Sequence, residues 1–292
     1  MKFGSVENPE AIDFTLPPTH PDTLALLGKK KPTKPLAVYV GCAKWNRQDL
    51  KGFYPRGTKD ELTYYATQFN SIELNGTFYN SPDKQQVETW KAKTPADFKF
   101  FPKVPQSISH YGRLLNVDEK MTTFADAIAL FEEKLGVSFL QLHDNFKPKD
   151  FDRLATFVKK FSKSVPLAVE VRNAEWFADA PTSQKLYSLL EEGRTANVLV
   201  DTAGRRDMLH MRLTTPTAFV RYVGANHPTD KNRLDDWVAR IKELRDAGLQ
   251  SLYFFVHQNI EVESPLLSTY FIDRLNEALG LEVRGPDSKL FP

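Results

Sequence analysis

The chain has 292 residues, a mass of 33.3 kDa and a formal net charge of +2 at pH 7, with 41% hydrophobic and 26% charged residues. These values are typical of a globular protein, so they exclude a mainly disordered, fibrous or collagen-like chain. The single Cys42 excludes an internal disulfide framework, and no apolar run reaches the roughly 18 residues that a membrane helix needs. The pI near 8.4 lies below the value of about 9 that marks nucleic-acid-binding domains.

The first 35 residues are rich in proline and turn formers and end in a lysine-rich run. We interpret residues 1–35 as an N-terminal arm, and the lysines as a solvated linker rather than a nucleic-acid contact. The arm opens with acids and a proline where a secretion signal would carry basic and apolar segments. This pattern predicts a cytoplasmic location without membrane association. Residues 36–292 are expected to form a single domain.

Eight short apolar, β-branched or aromatic runs follow the arm and are predicted to be strands. They cover residues 36–42, 71–74, 98–101, 139–142, 167–171, 197–200, 218–223 and 251–256. Helical periodicity is found between them at residues 124–135, 151–161, 184–191, 234–245 and 266–279. Two further helices are expected to begin at Thr58, where Glu61 completes a capping box, and at Ser81, where Pro82 takes the first helical position.

The interval of roughly 30 residues between successive strands is the length of one strand–helix unit. Eight such units in sequence predict an α/β fold, a TIM-type (β/α)8 barrel of regular or irregular form, with a doubly wound open sheet as the alternative. The motif G-x-G-x-x-G is missing after the first strand, where residues 41–45 read Gly-Cys-Ala-Lys-Trp. A nucleotide cofactor is therefore not expected, and no other cofactor is predicted.

Polar side chains follow the carboxyl ends of the predicted strands, where barrels build their active sites. Glu73 and Asn75 alternate with apolar residues at the end of the second strand, and Glu170 and Arg172 do so at the end of the fifth. Because both faces of a barrel strand are covered, an ionised group there must be paired, hydrated or in contact with a ligand. We interpret these positions as one rim that carries the site.

The candidate residues fall into two groups. The candidates for acid/base catalysis are Glu73, Glu170, His110, His143 and Asp201. The candidates for ligand binding are Asn75, Lys103, Gln141, Arg172, Trp176, Arg221, His257 and Asn259. The basic members favour an anionic ligand such as a phosphate or carboxylate, because arginine forms bidentate hydrogen bonds with either group. Purely structural roles stay open for the buried ion pairs, the histidines and the aromatic-rich loops at residues 45–54, 77–79 and 176–177, for which packing is the more frequent role.

A divalent metal site is the next alternative. Its candidate ligands are Glu73, Glu170, Asp201 and His257, and the cations that would crowd a metal ion are Arg172, Arg221 and Lys103. The sequence contains neither H-E-x-x-H nor a cysteine pair, so no metal is predicted. Cys42 ends an apolar strand, which favours a packing role over that of a nucleophile.

A series of ordered motifs extends along most of the chain. They lie at residues 41–45, 52–55, 62–69, 73–79, 90–95, 98–103, 109–110, 141–142, 170–176, 201 and 219–224. In these motifs the sequence resembles the YecE-like family, known as domain of unknown function 72. The resemblance implies a TIM-type barrel, an activity that is not settled, and a polar set at the strand ends that this chain carries at Glu73, Asn75, Lys103, His110, Gln141, Glu170, Arg172, Asp201 and Arg221.

Two segments depart from the family pattern. Many relatives carry prolines after the fourth strand, where residues 143–145 read His-Asp-Asn, and paired asparagines at the end of the eighth, where residues 257–259 read His-Gln-Asn. Substrate details are therefore not carried over from relatives to this side of the rim.

The favoured hypothesis is a barrel that binds a small anionic, phosphorylated or sugar-like ligand. As an enzyme it would be a hydrolase, a lyase or an isomerase that uses metal-free acid/base chemistry. Two alternatives stay open, namely a non-catalytic binding protein, for example for nucleic acid, and a metal-dependent barrel hydrolase or isomerase. Nucleic acid is the less favoured partner, and the oligomeric state is undetermined.

Overall fold

The structure is a computed structural model, and it describes residues 4–29, 32 and 34–287. The strands are β1 (Ala37–Cys42), β2 (Ser71–Leu74), β3 (Lys99–Pro102), β4 (Ser138–Gln141), β5 (Leu167–Glu170), β6 (Ala196–Asp201), β7 (Thr217–Gly224) and β8 (Ser251–Gln258). The helices are α1 (Pro21–Gly28), α2 (Glu61–Gln68), α3 (Gly76–Tyr79), α4 (Lys84–Ala92), α5 (Asp118–Ala129), α6 (Phe151–Phe161), α7 (Ala180–Glu192), α8 (Thr229–Ala247) and α9 (Ser264–Leu279).

Each predicted strand is found, with bounds that differ by at most two residues. The alternation of parallel strands with helices is an α/β fold in the order of a TIM-type (β/α)8 barrel, so the predicted fold class is confirmed. The chain divides into two compact units, Met1–Ile72 with Leu199–Pro292 and Glu73–Val198, as far as these are described. The prediction of one domain after residue 35 stays a prediction. Among the described helices, none is long and apolar enough to cross a membrane.

The first unit is built around β8, which lies between β1 and β7 in parallel register. Phe254 is paired with Val40 of β1 on one side and with Val220 of β7 on the other. The same ring stacks on Phe271 of α9 at 4.0 Å between centroids and meets the edge of Trp237 of α8 at 5.8 Å. Two helices therefore pack on the sheet through one aromatic side chain.

The second unit contains β3, β4 and β5, the end of β2 and the start of β6. Gln141 of β4 is paired with Glu170 of β5 in parallel register, and Ala168 of β5 with Ala196 of β6. β2 and β3 form a separate two-stranded sheet, and an isolated parallel bridge links Lys103, just after β3, to β4. The strand ladder is interrupted at this point, which makes the barrel order irregular.

The predicted arm contains a helix that its proline content concealed. Pro21 takes the first position of α1, where a proline has no backbone hydrogen bond to lose, and Thr23 and Leu27 are buried. The arm belongs to the first unit, within which the Arg206 guanidinium donates to the carbonyl oxygen of Phe14 at 3.2 Å. Three residues of the predicted lysine-rich linker, Lys30, Lys31 and Thr33, lie outside the described residues.

Both helix starts that the sequence suggested are displaced towards the carboxyl end. α2 begins after Asp60, whose carboxylate accepts the backbone N–H of Thr63 at 2.8 Å, and α4 begins after Asp83. The Thr58 hydroxyl instead donates to the carbonyl oxygen of Pro55 at 2.9 Å. The Asp83 carboxylate likewise accepts the backbone N–H of Gln86 at 2.7 Å, so the aspartates cap these two helices.

Candidate functional site

The predicted site residues lie in both units. Glu73, Asn75, Lys103, His110, Gln141, His143, Glu170, Arg172 and Trp176 belong to the second unit, whereas Asp201, Arg221, His257 and Asn259 belong to the first.

A chain of four side chains runs across the carboxyl ends of β3, β4 and β5. The Lys103 ammonium donates to Gln141 Oε1 at 2.9 Å, and Gln141 Nε2 donates to both carboxylate oxygens of Glu170 at 2.9 and 3.0 Å. Arg172 Nε donates to Glu170 Oε1 at 2.7 Å. The parallel register places Gln141 beside Glu170, so the strand pairing itself fixes the centre of this chain.

The four members differ in their access to solvent. Lys103, Gln141 and Glu170 are buried, with Glu170 only 1% exposed, whereas the side chain of Arg172 is 17% exposed. A buried carboxylate is stable only when it is paired and hydrogen-bonded, and Gln141 and Arg172 meet that requirement for Glu170. The guanidinium is thus the member of the chain that solvent reaches most readily.

Glu73 lies fully buried at the end of β2, next to the start of α3. Asn75 Nδ2 donates to Glu73 Oε1 at 2.7 Å. The hydroxyl of Thr77, in α3, donates to the carbonyl oxygens of Leu74 and Lys103 at 2.8 and 2.7 Å. This hydroxyl ties the end of β2 to the residue that follows β3, and so fixes the backbone from which Lys103 extends.

Phe78 of α3 contacts both the lysine and the predicted histidine. The Lys103 ammonium lies 4.2 Å from the centroid of the Phe78 ring, and the His110 ring meets the same ring edge-on at 4.9 Å. Desolvated cation–π contacts of this kind stabilise by about 2 kcal/mol. The sequence motif at residues 77–79 had indicated aromatic packing at this position but not its cationic partner.

His110 lies in a π-helical turn, Ser107–Tyr111, a geometry that is frequent at functional sites. Its Nδ1 is 2.9 Å from the Ser109 hydroxyl, and its ring lies 5.2 Å from that of His143. Burial, together with the neighbouring charges of His143, Lys103 and Arg172, lowers the pKa of His110 to about 4. The imidazole is therefore neutral at pH 7 and stands in a positive electrostatic potential.

The other two predicted residues of the second unit differ in exposure. His143 is exposed, and its Nδ1 accepts the backbone N–H of Asn145 at 3.2 Å. Trp176 is fully buried, stacks on Phe146 at 6.5 Å, and donates its indole N–H to the Phe146 carbonyl oxygen at 2.9 Å. The side chain of Trp176 is therefore covered by the protein on all sides, and its role in ligand binding stays a prediction.

In the first unit Asp201 is held by three donors. Its Oδ1 accepts from Arg206 and, at 3.0 Å, from Arg233, and its Oδ2 accepts from the indole N–H of Trp237 at 2.7 Å. Arg233 and Trp237 are four residues apart on α8 and so share one face of that helix. The i, i+4 spacing was visible in the sequence, but its approach to Asp201 was not. The arrangement is that of a buried structural ion-pair network.

Arg221, at 6% exposure, lies beside His257 in the first unit. Arg221 Nη2 is 3.3 Å from His257 Nε2, and His257 Nδ1 is 3.8 Å from the carboxylate of Glu261. Asn259 is exposed on the loop that follows β8. The structure thus brings Arg221 and His257 into contact and leaves Asn259 at the surface.

Among the residues that the structure describes, no group of three or more His, Cys, Asp and Glu side chains forms a candidate metal site. Cys42 is buried, and burial raises the pKa of its thiol to about 12. Its Sγ is 3.5 Å from the Ser268 hydroxyl. A thiol with such a pKa is a poor nucleophile at neutral pH, which agrees with the packing role expected for Cys42.

Comparison with known proteins gives one family match over most of the chain. The model described as "Protein of unknown function DUF72" matches residues 39–289. The UPF0759 protein YecE of Escherichia coli strain K12 is 26% identical over 252 residues, which cover 79% of this chain and 89% of that protein. The UPF0759 protein YunF of Bacillus subtilis strain 168 is 26% identical over 165 residues, or 53% of this chain and 58% of that protein.

Solved structures of two bacterial proteins share the fold. A DUF72 family protein from Thermotoga maritima superposes with a TM-score of 0.65 at 26% sequence identity, covering 82% of this chain and 99% of that one. A DUF72 family protein from Enterococcus faecalis superposes with a TM-score of 0.67 at 18% identity, covering 85% of this chain and 99% of that one.

Proposed function

The chain belongs to the DUF72 family, which confirms the resemblance seen in its sequence, and from this premise we propose that it binds a small anionic ligand at the carboxyl ends of β3, β4 and β5. The ligand class is that of phosphorylated or otherwise acidic metabolites, sugar derivatives among them. A cytoplasmic location stays a prediction from the sequence.

The observation that carries this proposal is the hydrogen-bonded chain from Lys103 through Gln141 and Glu170 to Arg172. It holds an ammonium and a guanidinium at one end of neighbouring strands, and the guanidinium is partly exposed. Guanidinium and ammonium groups are the usual protein partners of phosphate and carboxylate oxygens. An anion that approaches Arg172 would therefore meet charge-assisted donors whose positions the strands already fix.

The state of His110 supports the same site. Burial is the largest cause of its lowered pKa, the cations that face it lower the pKa as well, and Asp144 opposes them less strongly. A bound anion would offset this positive potential and would also accept a hydrogen bond from the imidazolium, so the pKa of His110 would rise on binding. This response distinguishes an anion site from a set of charges that serves only the fold.

Proton transfer is the second part of the proposal. Glu170 is oriented by Gln141 and Arg172, and a carboxylate fixed in this way is a suitable general base towards a ligand held by the guanidinium. His110, with its ring free to gain a proton once an anion is bound, would act as the acid. When a substrate is identified, we expect Glu170→Gln to abolish turnover and to leave ligand binding within about threefold of the wild type.

The binding proposal is tested with inorganic phosphate and the full chain. We expect phosphate to raise the pKa of His110, measured from its imidazole resonances by NMR, and Lys103→Met or Arg172→Gln to weaken phosphate binding by about ten- to a hundredfold, the range of one charge-assisted hydrogen bond. The matched control is Lys149→Met, which removes an exposed lysine of the same unit.

Two results would contradict the proposal. One is a His110 pKa that phosphate leaves unchanged. The other is an equal loss of affinity in Lys103→Met and Lys149→Met, which would indicate a general charge effect. The Arg172→Gln variant changes a partly exposed side chain, so it keeps the test decisive if Lys103→Met does not fold.

A further inference from the structure

A cavity of about 370 Å³ lies within the first unit, in the range of small-molecule pockets. Its walls come from the loop after β7, the first turn of α8, the end of β8 and the first turns of α9. The apolar part is formed by Pro228, Leu266, Leu267 and Tyr270, and the acidic part by Asp230, Glu263 and Asp273. Leu266 leaves 46% of its surface exposed, so the cavity offers an apolar contact that the protein itself does not cover.

Three hydrogen-bond donors of the lining are already used within the protein. The Asn226 amide donates to the Ile260 carbonyl oxygen at 3.2 Å, the Thr269 hydroxyl to that of Pro265 at 2.9 Å, and the Tyr270 hydroxyl to the Asp235 carboxylate at 2.9 Å. A ligand that needs donors, such as a phosphate or a carboxylate, would have to break these bonds. The lining offers an anion the ammonium of Lys231 but sets three carboxylates, Asp230, Glu263 and Asp273, against it, so it is poorly suited to an anion.

Two hydrogen-bond acceptors of the lining, the carboxylates of Glu263 and Asp273, are at most partly used within the protein. Glu263 accepts from Asn226 Nδ2 at 2.8 Å, and a carboxylate has room for about three more hydrogen bonds. The Asp273 carboxylate has no hydrogen-bond or ion-pair partner among the described residues, and burial together with the charge of Asp287 raises its pKa. Asp230 differs, because it pairs with Arg233 at 3.0 Å. The carboxylates of Glu263 and Asp273 can therefore accept further hydrogen bonds from a ligand.

An ammonium group of the protein already lies at this aromatic wall. The Lys231 ammonium is 5.4 Å from the centroid of the Tyr270 ring, and the side chain is exposed on α8. Aromatic rings bordered by carboxylates are the usual binding sites of organic cations. The contact of Lys231 with Tyr270 shows that a cation fits against this ring, and Lys231 would compete with an external one.

We propose that this cavity binds a small organic cation, an alkylammonium or guanidinium group on a short apolar stem. The stem would pack on Leu266 and Leu267, and the charged group would face the ring of Tyr270 and the carboxylates of Glu263 and Asp273. This site lies in the first unit and does not depend on the anion site proposed in the second.

The test compares three probes of four carbon atoms each, namely n-butylammonium, n-butanol and n-butyrate. Binding to the full chain is followed by the amide NMR shifts of the cavity residues. We expect n-butylammonium to bind at least about fivefold more tightly than n-butanol, and n-butyrate to bind more weakly than either. Glu263→Gln and Asp273→Asn should each weaken n-butylammonium binding by about two- to fivefold, as expected for partly exposed charge pairs.

Lys231→Met is the most informative variant, because the charge of the ligand decides whether the substitution raises or lowers its affinity. Loss of the competing ammonium should strengthen n-butylammonium binding by about two- to fivefold. At an anion site, the same substitution would weaken the binding of n-butyrate. Glu277→Gln, on α9 outside the cavity, is the matched control and should change nothing. Three results would overturn the proposal. They are tighter binding of n-butyrate than of n-butylammonium, weaker n-butylammonium binding in Lys231→Met than in the wild type, and amide NMR shifts that no probe changes.

The anion site proposed in the second unit and the cation cavity proposed in the first can be tested independently of each other. Lys103→Met should weaken phosphate binding in the second unit and leave n-butylammonium binding in the first unit unchanged.

Discussion

The buried His110 is expected to make the stability of the protein depend on pH. Its pKa of about 4 lies below the ordinary value of 6.5, so between these two pH values the unfolded chain takes up a proton that the folded chain does not. We expect this residue to lower the free energy of unfolding as the pH falls from 6.5 towards 4, and to contribute nothing above 6.5, where the imidazole is neutral in both states. The measurement is urea unfolding of the wild type and His110→Gln at several pH values between 4 and 7.5.

Since carboxylates also titrate in this range, the difference between the two unfolding series isolates the histidine. The stability advantage of the wild type over His110→Gln should shrink steadily as the pH falls, because the variant lacks the group that gains a proton on unfolding. Parallel curves for the wild type and His110→Gln would contradict the effect of burial on the pKa of His110.

At the same scale, the sequence identified the kinds of side chain in the site better than their partners. Alternation along two strands placed Glu170 and Arg172 together at one strand end, and the structure joins them at 2.7 Å. Asp201 was predicted as catalytic, yet two of its three donors, Arg233 and Trp237, come from a helix more than thirty residues further along the chain. Local patterns in a single sequence carry no information on contacts of that separation.

At the scale of elements, the sequence predicted the strands more accurately than the starts of the helices. The strands were found because apolar runs of this length are bounded by turn residues, a local signal. The start of α2 was placed at Thr58 rather than after Asp60, because both residues are good caps and only the path of the backbone decides between them. We expect Asp60→Ala to lower the free energy of unfolding by about 1 kcal/mol, and Thr58→Ala to change it by less than about 0.5 kcal/mol.

This pair of variants is compared by urea unfolding under identical conditions. Equal losses in Asp60→Ala and Thr58→Ala would contradict the cap assigned by the structure, since the Asp60 carboxylate is the group that accepts the Thr63 N–H. A larger loss in Thr58→Ala would restore the capping box that the sequence suggested.

For the molecule as a whole, the family and the α/β class followed from the order of motifs, whereas the two compact units did not. Their boundaries fall inside β2, between Ile72 and Glu73, and inside β6, between Val198 and Leu199. Compositional signals mark boundaries that lie in linkers rich in proline, glycine or charge. A boundary within a strand has no such signature, so the sequence indicated a single continuous domain.

Net charge is the property of the whole molecule that bears on nucleic acid as the alternative partner. The 39 basic side chains are nearly balanced by 37 acidic ones, so we expect only weak attraction to the phosphate backbone of a DNA or RNA strand. A protein that contacts six to ten phosphates loses about 10³- to 10⁵-fold in affinity between 50 and 200 mM salt. A pocket for a single small anion releases few counterions, so phosphate binding should fall by no more than about tenfold over the same range.

The decisive measurement is the salt dependence of binding to inorganic phosphate and to a single-stranded oligonucleotide, with the full chain and with a Lys30→Met, Lys31→Met double variant. Oligonucleotide affinity that is weak at low salt, and phosphate affinity that the double variant retains, would agree with an anion pocket in the second unit. Tight oligonucleotide binding with a steep salt dependence would instead favour the nucleic-acid alternative. If the double variant abolished that binding, the contact would lie in the lysine-rich run, and the strand-end cations would keep their proposed role in binding a small anion.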